Sequence, residues 1–157
     1  MQEDNEDNEG NEREFSGQTF SVRGLSQRFG RTMVLQDIEF DLRPGERLVL
    51  LGPTGSGKTT LLRAIAGLDE IESGEIRWGE SSLNQLPPHR RQVGFIFQDH
   101  VLYPHLSVGE NLKLAATKKG SSALSIDRIT SLLGLTKLLV RRPDQISGGE
   151  QQRVAIA

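Results

Sequence analysis

The chain has no cysteine, one tryptophan and one tyrosine in 157 residues. Without cysteine, disulfides and thiolate metal sites are excluded, which fits a reducing compartment. No apolar run approaches the ~18 residues that cross a bilayer, and the acidic amino terminus is not that of a signal peptide. Any membrane connection therefore has to run through a partner. Aromatic residues do not interleave with the scattered basic ones, so nothing points to nucleic acid. The net charge of −2 conceals an asymmetry. Seven of the 21 acidic residues and one of the 19 basic ones fall within residues 1–14, leaving the remainder with 14 acids against 18 bases, a net +4. Residues 1–14 are Asn-rich and carry no aliphatic side chain beyond Met1. They cannot bury enough apolar area to offset ordering and read as a disordered tail. The remaining composition is that of an ordinary globular protein, long enough for one domain with a sizeable core.

What the chain does have is concentrated in Gly52–Thr60, which reads G-P-T-G-S-G-K-T-T and satisfies G-x-x-x-x-G-K-[ST], the phosphate-binding P-loop. Gly52, Gly55 and Gly57 let the backbone turn tightly and approach a ligand with no Cβ in the way. Successive N–H groups can form a nest for phosphate oxygens, Lys58 can reach the terminal phosphates, and the Thr59 hydroxyl is placed to ligate Mg²⁺. The surroundings match the motif. Arg47–Leu51 is a short apolar run after the turn signal Pro44-Gly45 and predicts a buried parallel strand. After the loop, Leu61, Leu62, Ile65 and Leu68 repeat at helical spacing, and Gly67 predicts the stop.

Elsewhere, Phe20 and Val22, and later Ile38, Phe40 and Leu42, alternate with polar residues and predict two half-buried strands. The turn Arg28–Arg31 between them carries Phe29, which on its residues alone reads as a loop aromatic folded onto the core. Glu72–Gly79 predicts a further strand, Pro87-Pro88 breaks the chain, and Gln92–Gln98 predicts a second buried strand. Gln98 then sits at a strand's carboxyl end, where open α/β sheets bind ligands, although taken alone it reads as a surface amide. From Pro104 to about Val140 the pattern is helical. Ser107 to Glu110 is a capping box, Lys118–Ser122 a polar loop, and Ile126, Ile129, Leu132, Leu133 and Leu135 an amphipathic stripe. Last comes Ile146-Ser147-Gly148-Gly149-Glu150-Gln151-Gln152-Arg153, with Ser147 as N-cap, Glu150 closing a capping box and two glycines exposing N–H groups at a helix start.

P-loop, Gln98, helical insert and I-S-G-G-E-Q-Q-R, in this order, resemble the nucleotide-binding subunit of an ATP-binding-cassette (ABC) transporter. The resemblance covers about Phe20 to Ala157, and S-G-G-x-Q-x-R is that family's signature. It implies an α/β P-loop NTPase fold with an antiparallel β portion, an incomplete parallel core and a helical subdomain. Residues 15–98 would form the P-loop core with the antiparallel portion, 99–146 the helical subdomain and 147–157 the signature helix. It also implies site roles. Phe29 matches the aromatic that stacks on adenine, with Val34 as its neighbour. Gly52, Pro53, Thr54, Gly55, Ser56, Gly57, Lys58, Thr59 and Thr60 match Walker A. Gln98 matches the glutamine that approaches Mg²⁺ and the attacking water. Ser147, Gly148 and Gly149 match the segment that contacts the γ-phosphate held by the opposite subunit.

The stretches Leu86–Asp99 and Leu102–Asn111 look most like bacterial sugar, glycerol-phosphate or polyamine importers. This implies ATP and Mg²⁺ as ligands, transmembrane permease subunits and a second ABC subunit as partners, and a peripheral place on the cytoplasmic face of the cell membrane. The sequence departs from the family's pattern in one respect. It stops inside the signature helix, ahead of the Walker B strand, the catalytic Glu and the switch His, and Asp144 and Glu150 lie in the wrong context to replace them. These residues are accordingly expected to be a fragment that binds ATP without turning it over. Two other readings are a soluble, non-transport ABC switch and an inert truncated remnant. A P-loop small-molecule kinase would make the signature a coincidence.

Overall fold

The computed structural model describes residues 17–99, 101–116 and 123–157. The acidic tail expected over residues 1–14 and the polar loop at Lys118–Ser122 lie outside them. The chain divides into two units, one up to Phe95 and one from Ile96 onward.

The first unit is built on an antiparallel sheet of order β2-β1-β3-β4, with β1 Phe20–Phe29, β2 Thr32–Leu42, β3 Ser73–Trp78 and β4 Ser81–Ser82. The period-two pattern of β1 buries Phe20 and Val22. A register shift between Val22 and Leu25 inserts one position, after which Leu25 and Gln27 point inward. Phe29 pairs with Thr32 where the hairpin turns. The helix α1, Lys58–Ala66, closes the core with Leu61 and Ala64 against Phe20, Val22, Leu25, Leu35, Ile76 and Leu83. Burying a leucine or isoleucine of this kind contributes about 1.5–3 kcal/mol.

Leu62, expected on the buried stripe, is exposed. It stands about 100° around the helix from Leu61, so the two cannot both face a core this narrow. Ala64 takes the inward place. Gly67 ends α1 as expected. With φ at 75° it donates its N–H to the Ala64 carbonyl, while Leu68 donates to that of Arg63.

Two predicted strands do not form. Neither Arg47–Leu51 nor Gln92–Gln98 pairs with another strand among the described residues. A strand is defined by its ladder neighbour, and all the pairings the sheet does make are antiparallel ones of β1 to β4. Leu50 still packs on the core, but Val49 and Leu51 are 74% and 88% exposed.

The second unit holds α2 Val108–Ala116, α3 Ala123–Leu132 and α4 Gly148–Ile156, with two short 3₁₀ turns, Thr136–Leu138 and Pro143–Gln145, between α3 and α4. Val108, Leu112, Leu135, Leu138, Ile146 and Val154 form its core. The predicted capping box caps α2. The Ser107 N–H donates to Glu110 Oε2 at 2.7 Å and the Glu110 N–H to Ser107 Oγ at 3.3 Å. The buried Asn111 carboxamide fixes the loop ahead of this helix, accepting from the Tyr103 N–H at 2.7 Å and donating to the Ser107 carbonyl at 2.9 Å. The stripe expected through Leu135 breaks earlier. Gly134 at φ 67° ends the helical turn, with the Leu135 N–H donating to the Thr130 carbonyl at 2.7 Å. Leu135 is thereby buried, and Leu132, expected in the core, is 82% exposed.

The unpaired apolar run favours self-association. Val49→Lys with Leu51→Lys is expected to reduce the sedimenting oligomer at fixed concentration. Because both side chains face solvent, stability should move by no more than about 0.5 kcal/mol. A wild-type chain that is monomeric and melts sharply at every concentration would contradict this.

Candidate functional site

The P-loop is shaped by how closely β2 approaches it. Gly57, the N-cap of α1, sits at φ 88°. A Cβ there would lie 2.9 Å from Leu35 Cδ2 and 3.0 Å from the Val34 carbonyl oxygen. Only glycine meets both demands, so the motif's third glycine serves backbone geometry and packing together. The same contact puts Val34 directly beside the loop. The Ser56 N–H donates to the Pro53 carbonyl at 3.3 Å and the Leu61 N–H to that of Gly57 at 2.9 Å, which takes the chain from turn into helix.

Lys58 folds back over the loop it follows. Its Nζ donates to the Gly52 and Pro53 carbonyls at 2.8 Å each and to Ser56 Oγ at 3.3 Å. The ammonium is thus held inside the curl of Gly52–Gly57. With glycine at its N-cap, α1 starts without a side-chain acceptor for its first N–H groups. Free first-turn donors, the positive end of the helix dipole and an ammonium together make an anion site. Thr59 is exposed and Thr60 half-buried on that first turn, while Thr54 and Gly55 form the open side of the loop.

Phe29 is 53% exposed at the hairpin turn. It is not folded onto the core, contrary to what its residues alone suggest, because β1 and β2 carry it past the packed face of the sheet. Gln98, Ser147, Gly148 and Gly149 belong to the second unit, and all four are exposed. Gln98 lies in a turn, since the strand expected to deliver it is not formed. Ser147 caps α4. Its N–H and Oγ donate to Glu150 Oε2 at 2.7 and 2.9 Å, and the Glu150 N–H returns a bond to Ser147 Oγ at 3.4 Å. The donations from Ser147 hold the Glu150 carboxyl below its ordinary range, with Arg153 and Arg141 adding to the effect. A carboxylate so engaged serves as the helix cap.

Among the described residues, no group of three or more His, Cys, Asp or Glu could hold a metal ion. The donor set at the P-loop is the hard hydroxyl oxygen of Thr59. That suits a Mg²⁺ carried mainly by phosphate oxygens, since this ion is usually held by few protein oxygens together with substrate phosphates.

Arg91 passed unnoticed in the sequence as one charge in a polar, proline-rich loop. It is 6% exposed, and burial lowers its pKa. Nothing in a single sequence separates it from the exposed Arg90 beside it.

The family model described as ABC transporter matches residues 35–157. The chain belongs to the ABC transporter family. It is 46% identical over 139 residues to the maltose/maltodextrin import ATP-binding protein MalK of Salmonella typhimurium, which covers 86% of this chain and 38% of that protein. It is 43% identical over 140 residues to the sulfoquinovosyl glycerol transport ATP-binding protein SmoE of Agrobacterium fabrum, covering 87% of this chain and 39% of that one. The chain thus spans about two fifths of the length of these curated relatives.

Among solved structures, a dimeric ATP-binding cassette in a post-hydrolysis state bound to ADP and Pi superposes with a TM-score of 0.73 at 27% identity, over 87% of this chain and 67% of that one. An ATP-binding subunit of an ABC transporter gives 0.75 at 33%, over 87% and 59%. The importer resemblance and the P-loop NTPase fold expected from the sequence agree with these findings.

Two outcomes are expected. Gly57→Ala combines a left-handed backbone with a clash against Val34 and Leu35 and should destabilise the chain by about 2–3 kcal/mol. That corresponds to a drop of about 5–10 °C in Tm by calorimetry. The Glu150 cap, whose folded pKa is depressed, contributes fully above the ordinary Glu range and is lost as pH falls through the folded value. Ser147→Ala removes the hydroxyl's donation but keeps the backbone N–H donation, so it should raise the Glu150 carboxyl only part of the way toward its ordinary titration range, as followed by carboxyl-carbon NMR. Identical titration in both chains would remove the Ser147 hydroxyl from the explanation.

Proposed function

We propose that this chain is the nucleotide-binding part of an ABC importer's ATP-binding subunit, and that the whole protein couples ATP binding and hydrolysis to solute uptake. The observation that carries the reading is the Lys58 ammonium held inside the glycine loop at the start of α1. Phosphate oxygens of ATP would take over the bonds that Lys58 now makes to loop carbonyls and gain the first-turn N–H groups as further donors. Thr59 would ligate a Mg²⁺ accompanying the nucleotide, which would offset charge on the phosphates. The exposed Phe29 ring would stack on adenine, with Val34 beside it. Gln98 would face the metal and the attacking water. Ser147, Gly148 and Gly149 would meet the γ-phosphate on a second ABC subunit.

No helix among the described residues is long and apolar enough to cross a membrane. The importer reading gives this chain transmembrane permease subunits as partners and a peripheral place on their cytoplasmic side. The relatives named for maltose/maltodextrin and sulfoquinovosyl glycerol favour a sugar-type cargo.

Calorimetric titration with Mg-ATP is the test. A hydrogen bond to a charged group is worth about 1.5–3 kcal/mol, so Lys58→Ala should weaken binding by about 10–100-fold. Equal affinity of both chains would remove the phosphate-cradle assignment.

A further inference from the structure

Arg91 is buried, yet among the described residues its hydrogen bonds go to backbone carbonyls and to no carboxylate. Nε donates to the Leu86 carbonyl at 2.8 Å and one terminal nitrogen to those of Ala64 and Ile65 at 2.9 and 3.1 Å. The other terminal nitrogen donates to the Asn84 carbonyl at 3.2 Å. Two of these acceptors belong to the last turn of α1 and two to the loop after β4. A full positive charge is thereby placed at the negative end of the α1 dipole, opposite the end that begins at the P-loop. Gly67 makes room for it, because a Cβ there would come within 2.7 Å of Arg91 Cζ.

The next residue, Gln92, sits at φ 53°, one of two non-glycine residues in the left-handed region among those described. Such conformations persist only where the surroundings impose them. From this corner the chain runs to the end of the first unit at Phe95, and Gln98 follows three residues later. The clamp and the corner thus stand between the phosphate-loop helix and the last residues of the first unit.

We propose that Arg91 is a positioning residue, joining the last turn of α1 to the start of Gln92–Phe95 so that nucleotide seated on the first turn of α1 is felt along those residues, up to the end of the first unit. The inference rests on the nucleotide reading of the P-loop. A helix of nine residues is a rod only about 13 Å long, so order imposed at one end reaches the other. The planar guanidinium fork can serve acceptors on both elements at once. A lysine keeps the charge but is a single point donor that cannot reproduce the fork. If Arg91 were only a structural staple, its replacement would change stability and leave the reach of the nucleotide's effect unchanged.

Amide hydrogen exchange of the full chain with and without Mg-ATP reads that reach directly. In the wild type, saturating Mg-ATP should slow exchange by about tenfold or more at residues 61–68 and also at residues 93–95. In Arg91→Lys, the Kd for Mg-ATP from calorimetry should stay within about threefold, the protection at 61–68 should remain, and that at 93–95 should vanish. Protection at 93–95 equal to the wild type's in a folded Arg91→Lys chain would overturn the clamp. So would wild-type protection that stops at Leu68, a result that stands whether or not the variant folds. Both leave the nucleotide reading intact. Absence of Mg-ATP binding to the folded wild type would instead remove that reading and the clamp with it.

Discussion

The first unit depends on one close approach, that of Gly57 to the backbone of Val34. Without a Cβ the P-loop lies directly on β2, and α1 starts from that point with Leu61 and Ala64 facing the sheet. The loop's curl, the position of Lys58 within it and the burial of α1 all follow from it. The glycines of the motif are usually read for their freedom around a phosphate. Here Gly57 also answers to a leucine methyl and a carbonyl oxygen on its protein side, so the phosphate-facing geometry is set from behind.

The second unit solves a similar problem by different means. Its helices α2 and α4 both begin with a serine reciprocally bonded to a glutamate three residues later. The repetition is economical physics, since each box satisfies two otherwise orphaned backbone N–H groups. At α4 it leaves Gly148 and Gly149 open to solvent, so that the cap fixes the helix start while the glycines keep its N–H groups accessible.

Local features were readable from the residues, and those depending on distant neighbours were not. Both capping boxes, the Gly67 stop, the β1–β2 hairpin and the P-loop–helix order depend on residues within a few positions of one another, and all are present. The misreadings share one cause. Leu62 and Leu132 fit a helical period, but which side of a helix is buried is decided by what packs against it. Leu135 joined the core only because Gly134 turned the chain. Arg91 carries no local mark at all. Its role is created by α1 ending, at Gly67, beside a loop more than twenty residues further on. Phe29 shows the opposite case, an aromatic whose type suggested burial but whose place at the turn of a hairpin exposes it.

The contrast between the two kinds of strand in the first unit follows from the same distinction. Antiparallel β1 and β2 are joined by a tight turn, so their ladder closes with little loop entropy, and β3 extends it. Parallel strands need partners delivered by long crossovers. Arg47–Leu51 and Gln92–Gln98 have the apolar composition of such strands without a ladder neighbour among the described residues. The P-loop is nonetheless formed. Its support comes from the carboxyl side, through α1, laterally, through β2, and from Leu50 of the run that leads into it, which packs on the core without a ladder. The geometry of the loop in this chain is therefore separable from the parallel sheet.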